Sequence, residues 1–343
     1  MQKESILKDY CMLHVVRIYR KKKKIPTTVN QQDCSKAHHT CQRSMTSLVK
    51  PLLRPLPLLG VSTGGLILAA SLSSTSKTAS MASNHKRNRP VQQYIPRHTS
   101  WPYNPSDFTR QDNSPDAGFY SSPRFVTHID DAAIATLKEY YNSVLPRRGR
   151  ILDFCSSWVS HYPKSIEKAC DSGNLKITGL GMNKAELDAN NFFNNGRVLA
   201  DLNDKPDVSA ALATGTSESE KLDASTCVVS IDYLTSPVEV LRTLLSATKS
   251  GGTVHLTISN RCFPTKAVSR WLRVSEQERL QMVGDFLHFA GWEKIEIVEL
   301  SNGRVEQDEQ NPPEQGSLQS FMSMMGMGGR DPLWVVRAVK GGT

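Results

Sequence analysis

Four short polar segments have residue types that bind small ligands, and each lies at the carboxyl end of a predicted strand. They are residues 153–157, 181–183, 201–203 and 231–233. Their candidate ligand-binding members are Asp153, Cys155, Ser156, Ser157, Gly181, Met182, Asn183, Asp201, Leu202 and Ile231. Carboxylates, hydroxyls and carboxamides offer hydrogen-bond acceptors and donors. Parallel sheets bind ligands outside the carboxyl ends of their strands, so we expect these segments to form one site.

Three further residues are candidates for a chemical step. Asp232 has the chemistry of a general base, although an ordinary role in a strand-to-helix loop is the alternative. Tyr233 offers a ring that stacks on a substrate, and His161, shortly after the first polar segment, is a second candidate base. Arg261 is either the holder of an anionic group or a plain surface arginine. No metal site is expected.

The elements that position these residues alternate between strand and helix. Seven apolar, often β-branched runs predict strands at residues 150–155, 175–182, 197–202, 226–231, 253–258, 294–300 and 333–340. Helix start signals stand at Asn183, Ser236 and Ser275, a glycine pair at residues 251–252 is expected to close one helix, and another helix is predicted over residues 131–145. Such alternation predicts an α/β fold, an open, doubly wound, mostly parallel seven-stranded sheet with helices on both faces. No helix pattern separates the last two strands, which predicts a final antiparallel pair.

The charge of the chain divides it into a basic leader and an acidic body. Formal net charge is +9 over 343 residues, yet residues 1–106 carry 17 basic and 3 acidic side chains, which leaves the remainder at −5. The body is therefore not expected to bind nucleic acid. We interpret residues 1–81 as a leader, residues 82–118 as a linker and residues 119–343 as the folded domain.

The leader has the composition of a targeting segment. No acidic residue occurs between Asp33 and Asp107, a stretch rich in serine, threonine and basic residues. That is typical of a transit peptide and predicts an organelle, mitochondrion or plastid, with the cytoplasm as the alternative. Residues 56–72 are apolar, but they are short for a membrane anchor and contain Pro57 and three glycines, which favours the apolar part of a targeting signal.

Several motifs of the body together resemble a known family. The segments VVSIDYL, KSGGTVHLTI and AGW stand at residues 228–234, 249–258 and 290–292, which are the end of the fourth predicted strand with the residues after it, the fifth strand with the residues before it, and the end of the connection to the sixth. In this order they resemble class I S-adenosylmethionine-dependent methyltransferases over roughly residues 120–340. Segments such as YSSPRFVTHID and ILDFCSSWVSHYP are similar to an uncharacterised methyltransferase-like branch. The resemblance implies S-adenosylmethionine as cofactor, methyl transfer to an unknown acceptor, and contact of Asp201 with the adenine.

The chain departs from the family pattern at two places. The family usually has three glycines in the first turn, where this chain has Cys155, Ser156 and Ser157, and it usually has an acid for the ribose hydroxyls where this chain has Gly181. Asn183 is either a replacement acceptor or a helix N-cap, and Asp201 is either a ligand contact or a turn residue. Two functions therefore stay open: a methyltransferase, and a catalytically inactive binding or assembly factor with the same fold.

Overall fold

The computed structural model describes residues 89–212, 217–303 and 330–342. The predicted leader, with its apolar stretch at 56–72, lies outside the described residues, so its targeting role stays a prediction. In the described part of the chain, no helix is both long and apolar enough to span a membrane.

One mixed sheet organises the described residues. Its eight strands are β1 (Val91–Gln93), β2 (Gly149–Phe154), β3 (Leu175–Gly181), β4 (Gly196–Leu199), β5 (Leu222–Val228), β6 (Thr248–Ser259), β7 (Glu293–Ser301) and β8 (Leu333–Val339). They lie in the order β1-β7-β8-β6-β5-β2-β3-β4. Strands β2 to β6 pair in parallel, whereas β8 is antiparallel to both β6 and β7. The prediction of a mostly parallel sheet with a final antiparallel pair is confirmed.

The sheet differs from the prediction at its outer edge. Residues 91–93, in the segment interpreted as a linker, add an eighth strand that pairs antiparallel with β7. The fourth predicted strand begins and ends earlier than expected, because Ile231 belongs to a 3₁₀ turn over Ile231–Tyr233. The glycines at 251 and 252 lie inside β6, and the preceding helix already ends at Ala247.

Helices cover both faces of the sheet. They are α1 (Asp116–Phe119), α2 (Asp131–Val144), α3 (Lys164–Asp171), α4 (Lys184–Ala189), α5 (Val208–Leu212), α6 (Pro237–Ala247), α7 (Ser269–Arg273) and α8 (Glu276–Ala290). On β2, Ile151 packs in the apolar cluster that contains α2 and α3 residues, and its neighbour Leu152 packs in the cluster that contains α6 and α8 residues. Alternate side chains of a strand point to opposite faces, so this central strand is buried on both sides.

The predicted helix starts have different capping chemistry. The side chains of Asn183 and Ser275 each accept a hydrogen bond from the backbone three residues later, as the capping pattern predicts. Ser236 also precedes its helix directly, but its side chain makes no capping bond, and Pro237 begins α6 instead.

Candidate functional site

A cavity of about 570 Å³ lies at the carboxyl ends of the parallel strands. Its wall is formed by the residues that follow β2, β3, β4, β5 and β6, together with four residues from the segment before α2. The chain reverses its direction of travel across the sheet between β2 and β5, and the cavity lies at this switch point, where doubly wound sheets bind ligands. A volume of this order suits a cofactor-sized ligand.

Most of the predicted site residues line this cavity. They are Asp153, Cys155, Ser156, Ser157, Gly181, Met182, Asn183, Asp201, Leu202 and Tyr233. Asp232, His161 and Ile231 are not part of the cavity wall, and all three are buried.

The last residues of β2 place a buried carboxylate at the cavity. Asp153 accepts hydrogen bonds from Ser156 Oγ at 2.8 Å and from Thr226 Oγ1 at 3.2 Å. Burial raises the pKa of Asp153 to about 6, although the hydroxyl donors partly offset this effect. The carboxylate is therefore mostly ionised at pH 7 and attracts a cationic group of a ligand.

Cys155 occupies a conformation that usually belongs to glycine. Its φ angle is +51°, in the left-handed region. The Cys155 thiol contacts the thiol of Cys227, a buried residue of β5. The turn thus follows a glycine-like path without a glycine, with a side chain that packs into the core.

Gly181 is required by the close approach of this turn to the end of β3. The Ser156 N–H donates to Leu180 O at 2.8 Å, which holds the turn against the strand. A Cβ atom at residue 181 would overlap the carbonyl oxygen of Ser156. An acidic side chain at this position is therefore excluded by the backbone of the neighbouring turn.

The structure assigns Asn183 to capping. Its Oδ1 accepts from Glu186 N at 3.1 Å, and its Nδ2 donates to Tyr120 O at 2.8 Å and to Ser121 O at 3.3 Å. Both donors of the carboxamide are thus committed to the protein. Asn183 is thus a helix N-cap that joins α4 to the segment before α2, and its role as a replacement ribose acceptor stays a prediction, because its carboxamide oxygen has a second lone pair.

The turn after β4 combines a carboxylate with an apolar residue. Asp201 Oδ1 accepts from Asn203 N at 2.8 Å, which is the bond of a turn residue. Its Oδ2 has no partner among the described residues, so the two interpretations of Asp201 are compatible. Leu202 is buried and provides the adjoining apolar surface.

The 3₁₀ turn after β5 gives opposite environments to two neighbouring residues. Tyr233 lines the cavity, and its hydroxyl oxygen accepts from Phe263 N at 2.9 Å. Burial raises the pKa of Tyr233, so the hydroxyl stays protonated and its proton is available for donation. Asp232 is buried behind the wall, which means that the expected base does not face the cavity.

His161 is also in an environment unsuited to a catalytic base. It is 4% exposed and has a φ angle of +54°. Burial lowers its pKa to about 4, so the ring is neutral at physiological pH. Its position away from the cavity wall agrees with a structural role.

Residues 104–130, which we call the covering segment, contribute to the cavity although no motif predicts this. Part of the segment lies in the region interpreted as a linker. Asp116, Tyr120, Arg124 and His128 from this segment line the cavity. Salt bridges join Asp116 to Arg110 at 2.8 Å and to the buried Lys266 at 3.0 Å. The covering segment is thus tied to the fold at the cavity by an ion-pair network.

Two further bonds hold the covering segment to the strand ends. Glu186 Oε1 accepts from Arg124 N at 2.6 Å, and Asn203 Nδ2 donates to Asp116 Oδ2 at 2.8 Å. Glu186 and Asn203 follow β3 and β4 in the chain. The covering segment therefore contacts the cavity at the edge of the sheet where these strands end. Neither bond has a signature in the sequence, because one partner is a backbone amide and the other is a distant side chain.

Comparisons with known proteins concern the fold. No family model matches the chain, and no curated protein matches its sequence. Solved structures with a similar fold include phosphoethanolamine N-methyltransferase 2 of Haemonchus contortus in complex with S-adenosyl-L-methionine, at 14% identity and a TM-score of 0.37. That match covers 61% of this chain and 52% of the other, so the chain spans about half of the Haemonchus protein.

Two further similar structures are smaller proteins. One is a SAM-dependent methyltransferase of Archaeoglobus fulgidus, at 13% identity and a TM-score of 0.38, covering 60% of this chain and 94% of the other. Another is a possible histamine N-methyltransferase of Thermotoga maritima, at 14% identity and a TM-score of 0.37, covering 61% and 90%.

Proposed function

We propose that this protein binds S-adenosylmethionine in the cavity at the strand ends and transfers its methyl group to an acceptor. The observation that carries the proposal is the cavity at the switch point, lined by a buried carboxylate at the carboxyl end of β2 and an acidic, partly apolar turn after β4. The motif resemblance of the body supports the same cofactor. When bound, the cofactor supplies an electrophilic methyl group.

The residues after β2 fit the methionine end of this cofactor. Asp153, ionised above about pH 6, suits a cationic ammonium group. The hydroxyl of Ser157 lines the cavity and has no partner among the described residues, so it is available to a carboxylate.

The residues after β3 and β4 fit the adenosine end in an altered way. Gly181 supplies no acid, but Glu186 lies in the first turn of α4 and also lines the cavity. Its Oε1 accepts from Arg124 N, and its Oε2 has no partner among the described residues. We assign Glu186 as the ribose acceptor, and Asp201 and Leu202 as the neighbours of the adenine.

The protein's part in the reaction is then to bind and orient. A direct displacement needs the acceptor and the methyl group in line and close together, and such positioning supplies much of the rate enhancement. Tyr233 donates a hydrogen bond on the acceptor side, and the covering segment over residues 104–130 excludes water. No described residue of the wall is required as a covalent nucleophile.

Calorimetric titration of the full chain with S-adenosylmethionine and S-adenosylhomocysteine tests the proposal. We expect dissociation constants in the micromolar range, about −8 kcal/mol. Asp153→Asn should weaken the binding of S-adenosylmethionine roughly tenfold or more, because a charge-assisted hydrogen bond is lost. The matched control is Asp223→Asn, since Asp223 pairs with Lys249 at the amino end of β5, away from the cavity.

Two results would refute the assignment. No heat and no thermal shift at millimolar ligand would show that the protein does not bind this cofactor. The function left would be that of an inactive binding or assembly factor. Equal affinity of the wild type and Asp153→Asn would remove Asp153 from the site.

A further inference from the structure

An arginine held in place by a buried carboxylate lies in the loop after β6, which forms one end of the cavity. Arg261 lines the cavity, and its side chain is 61% exposed. Its Nε–H donates to Asp331 Oδ1 at 2.7 Å. Its two terminal nitrogens have no partner among the residues that the structure describes. The planar fork of a guanidinium binds carboxylate or phosphate oxygens through two parallel bonds, and here this fork is open.

Asp331 is a fixed support for that arginine. Its side chain is 5% exposed, and Asp130 N donates to its Oδ2 at 2.8 Å. In return, Asp331 N donates to Asp130 Oδ2, and Asp130 is the N-cap of α2. A carboxylate held by a helix start therefore orients Arg261, which lowers the entropy cost of binding an anion.

The two other basic side chains of the cavity wall are an arginine stacked on an aromatic ring and a neutral histidine. The Arg124 guanidinium lies 4.3 Å from the centre of the Phe119 ring and donates to Phe119 O at 3.0 Å. Burial and the charge of Arg124 lower the pKa of His128, so this ring is neutral at pH 7. Among the two arginines of the described wall, Arg261 is the one whose terminal nitrogens both lack a partner in the described residues, whereas Arg124 already donates through one of them.

Aromatic rings adjoin Arg261 in the same loop and across the cavity. The Phe263 and Tyr233 ring centres are 6.1 Å apart at an interplanar angle of 33°, and both residues line the cavity. His128 meets Phe263 edge on at 5.6 Å. Such rings favour a planar, apolar part of a ligand next to the anion receptor.

We infer that the methyl acceptor is a small molecule with an anionic group, carboxylate or phosphate, beside a planar apolar part, and that Arg261 binds the anionic group. This inference rests on the proposed function, since it names the substrate class of the same cavity. Asp331 acts as a positioning residue through Arg261, and Phe263 and Tyr233 bind the planar part.

Fluorine NMR titration of the full chain, at constant ionic strength, tests the inference. The probes are 4-fluorobenzoate, 4-fluorophenyl phosphate and the neutral 4-fluorobenzamide. Arg261→Gln removes the receptor at an exposed position where folding is not at stake. Arg273→Gln is the matched control, because Arg273 is 62% exposed and donates to Asp107 at 3.0 Å but is not part of the cavity wall.

The wild type should bind at least one anionic probe about tenfold more tightly than the amide, the size expected for a hydrogen bond to a charged group. Arg273→Gln should keep this preference and Arg261→Gln should lose it. The tighter of the two anions assigns carboxylate or phosphate. Equal binding of anions and amide by the wild type, or an unchanged preference in Arg261→Gln, would overturn the inference.

Titration of the same samples with S-adenosylhomocysteine separates the two proposals. Cofactor binding without an Arg261-dependent anion preference would overturn the acceptor class alone. An Arg261-dependent preference without cofactor binding would refute the methyltransferase and keep the anion site.

Discussion

Burial of Asp232 should make the stability of this protein depend on pH. The residue is 2% exposed, and its Oδ2 has no hydrogen-bond partner among the described residues. Burial raises the pKa of Asp232 from its ordinary value of 3.8 to about 7. A carboxyl group of this kind is easier to keep neutral than to ionise, because the loss of hydration outweighs the bond from its own backbone N–H and the charge of Arg279.

The sign and the size of the effect follow from the two pKa values. The folded state holds the proton more tightly than the unfolded state, so stability falls as pH rises from about 4 to about 7. For a shift from 3.8 to about 7, the loss grows by roughly 2–3 kcal/mol between pH 5 and pH 8. The asparagine of Asp232→Asn cannot ionise, so the unfolding free energy of this variant does not include the pH-dependent loss.

Urea unfolding of wild type and Asp232→Asn at pH 5 and pH 8 measures the prediction. Burial of the new amide lowers the unfolding free energy by an amount that does not change with pH. We therefore compare the difference in unfolding free energy between variant and wild type at pH 5 with the same difference at pH 8. We expect the variant to gain roughly 2–3 kcal/mol on the wild type from pH 5 to pH 8. Titration of the remaining groups is common to both proteins and cancels.

Asp112→Asn serves as a control of opposite sign. Bonds from the Ser114 hydroxyl and N–H, and then from Lys266, lower the pKa of Asp112 to about 2. The side chain of Asp112 is exposed and its interactions are screened by solvent, so the stability that it supplies is small, present above pH 4 and lost as pH falls towards 2. Between pH 5 and pH 8 the stability difference of this variant should therefore stay constant. A stability difference for Asp232→Asn that stays constant from pH 5 to pH 8 would refute the reasoning about its burial.

Two other substitutions test the packing around the site. Gly181→Ala should cost about 1–3 kcal/mol of unfolding free energy, because its Cβ would overlap the Ser156 carbonyl oxygen. Gly118→Ala, with no atom within 4 Å of its Cβ, should stay within about 0.5 kcal/mol in the same urea titration, and equal costs would contradict the overlap. Asp285→Asn should loosen the segment before α1, because the hydroxyls of Tyr94 and Tyr103 both donate to this buried carboxylate. Faster proteolysis near residues 94–103, read by mass spectrometry, is the expected result, and an unchanged cleavage pattern would count against it.

The sheet could be predicted from the sequence because its central strands are buried on both faces. Such strands consist of consecutive apolar, often β-branched residues, as at residues 150–155 and 253–258. Strand β1 could not be found in this way, since all three of its residues are exposed. It is held by backbone pairing to β7, which leaves no side-chain pattern.

The floor of the candidate site could also be predicted, but its cover could not. Strand ends of a parallel sheet converge, so the residues after β2, β3 and β4 were expected to meet, and they do. Arg124 and Tyr120 reach the cavity because Glu186 and Asn183 bind their backbone atoms. A side chain can bind the backbone atoms of almost any residue type. Contacts of this kind therefore cannot be predicted from the sequence.

The conformation of the wall explains how a turn without glycine still forms a cavity. Three residues of the wall have left-handed φ angles: His128 at +64°, Cys155 at +51° and Val229 at +43°. Each costs of order 1–3 kcal/mol, and the branched Val229 is the least suited to this region. Such conformations persist only where neighbours fix them, as Thr257 O does by accepting from Val229 N at 2.9 Å. Because neighbouring residues fix these three backbone conformations, the shape of the wall at these positions is determined by the fold and does not depend on the conformational freedom of glycine.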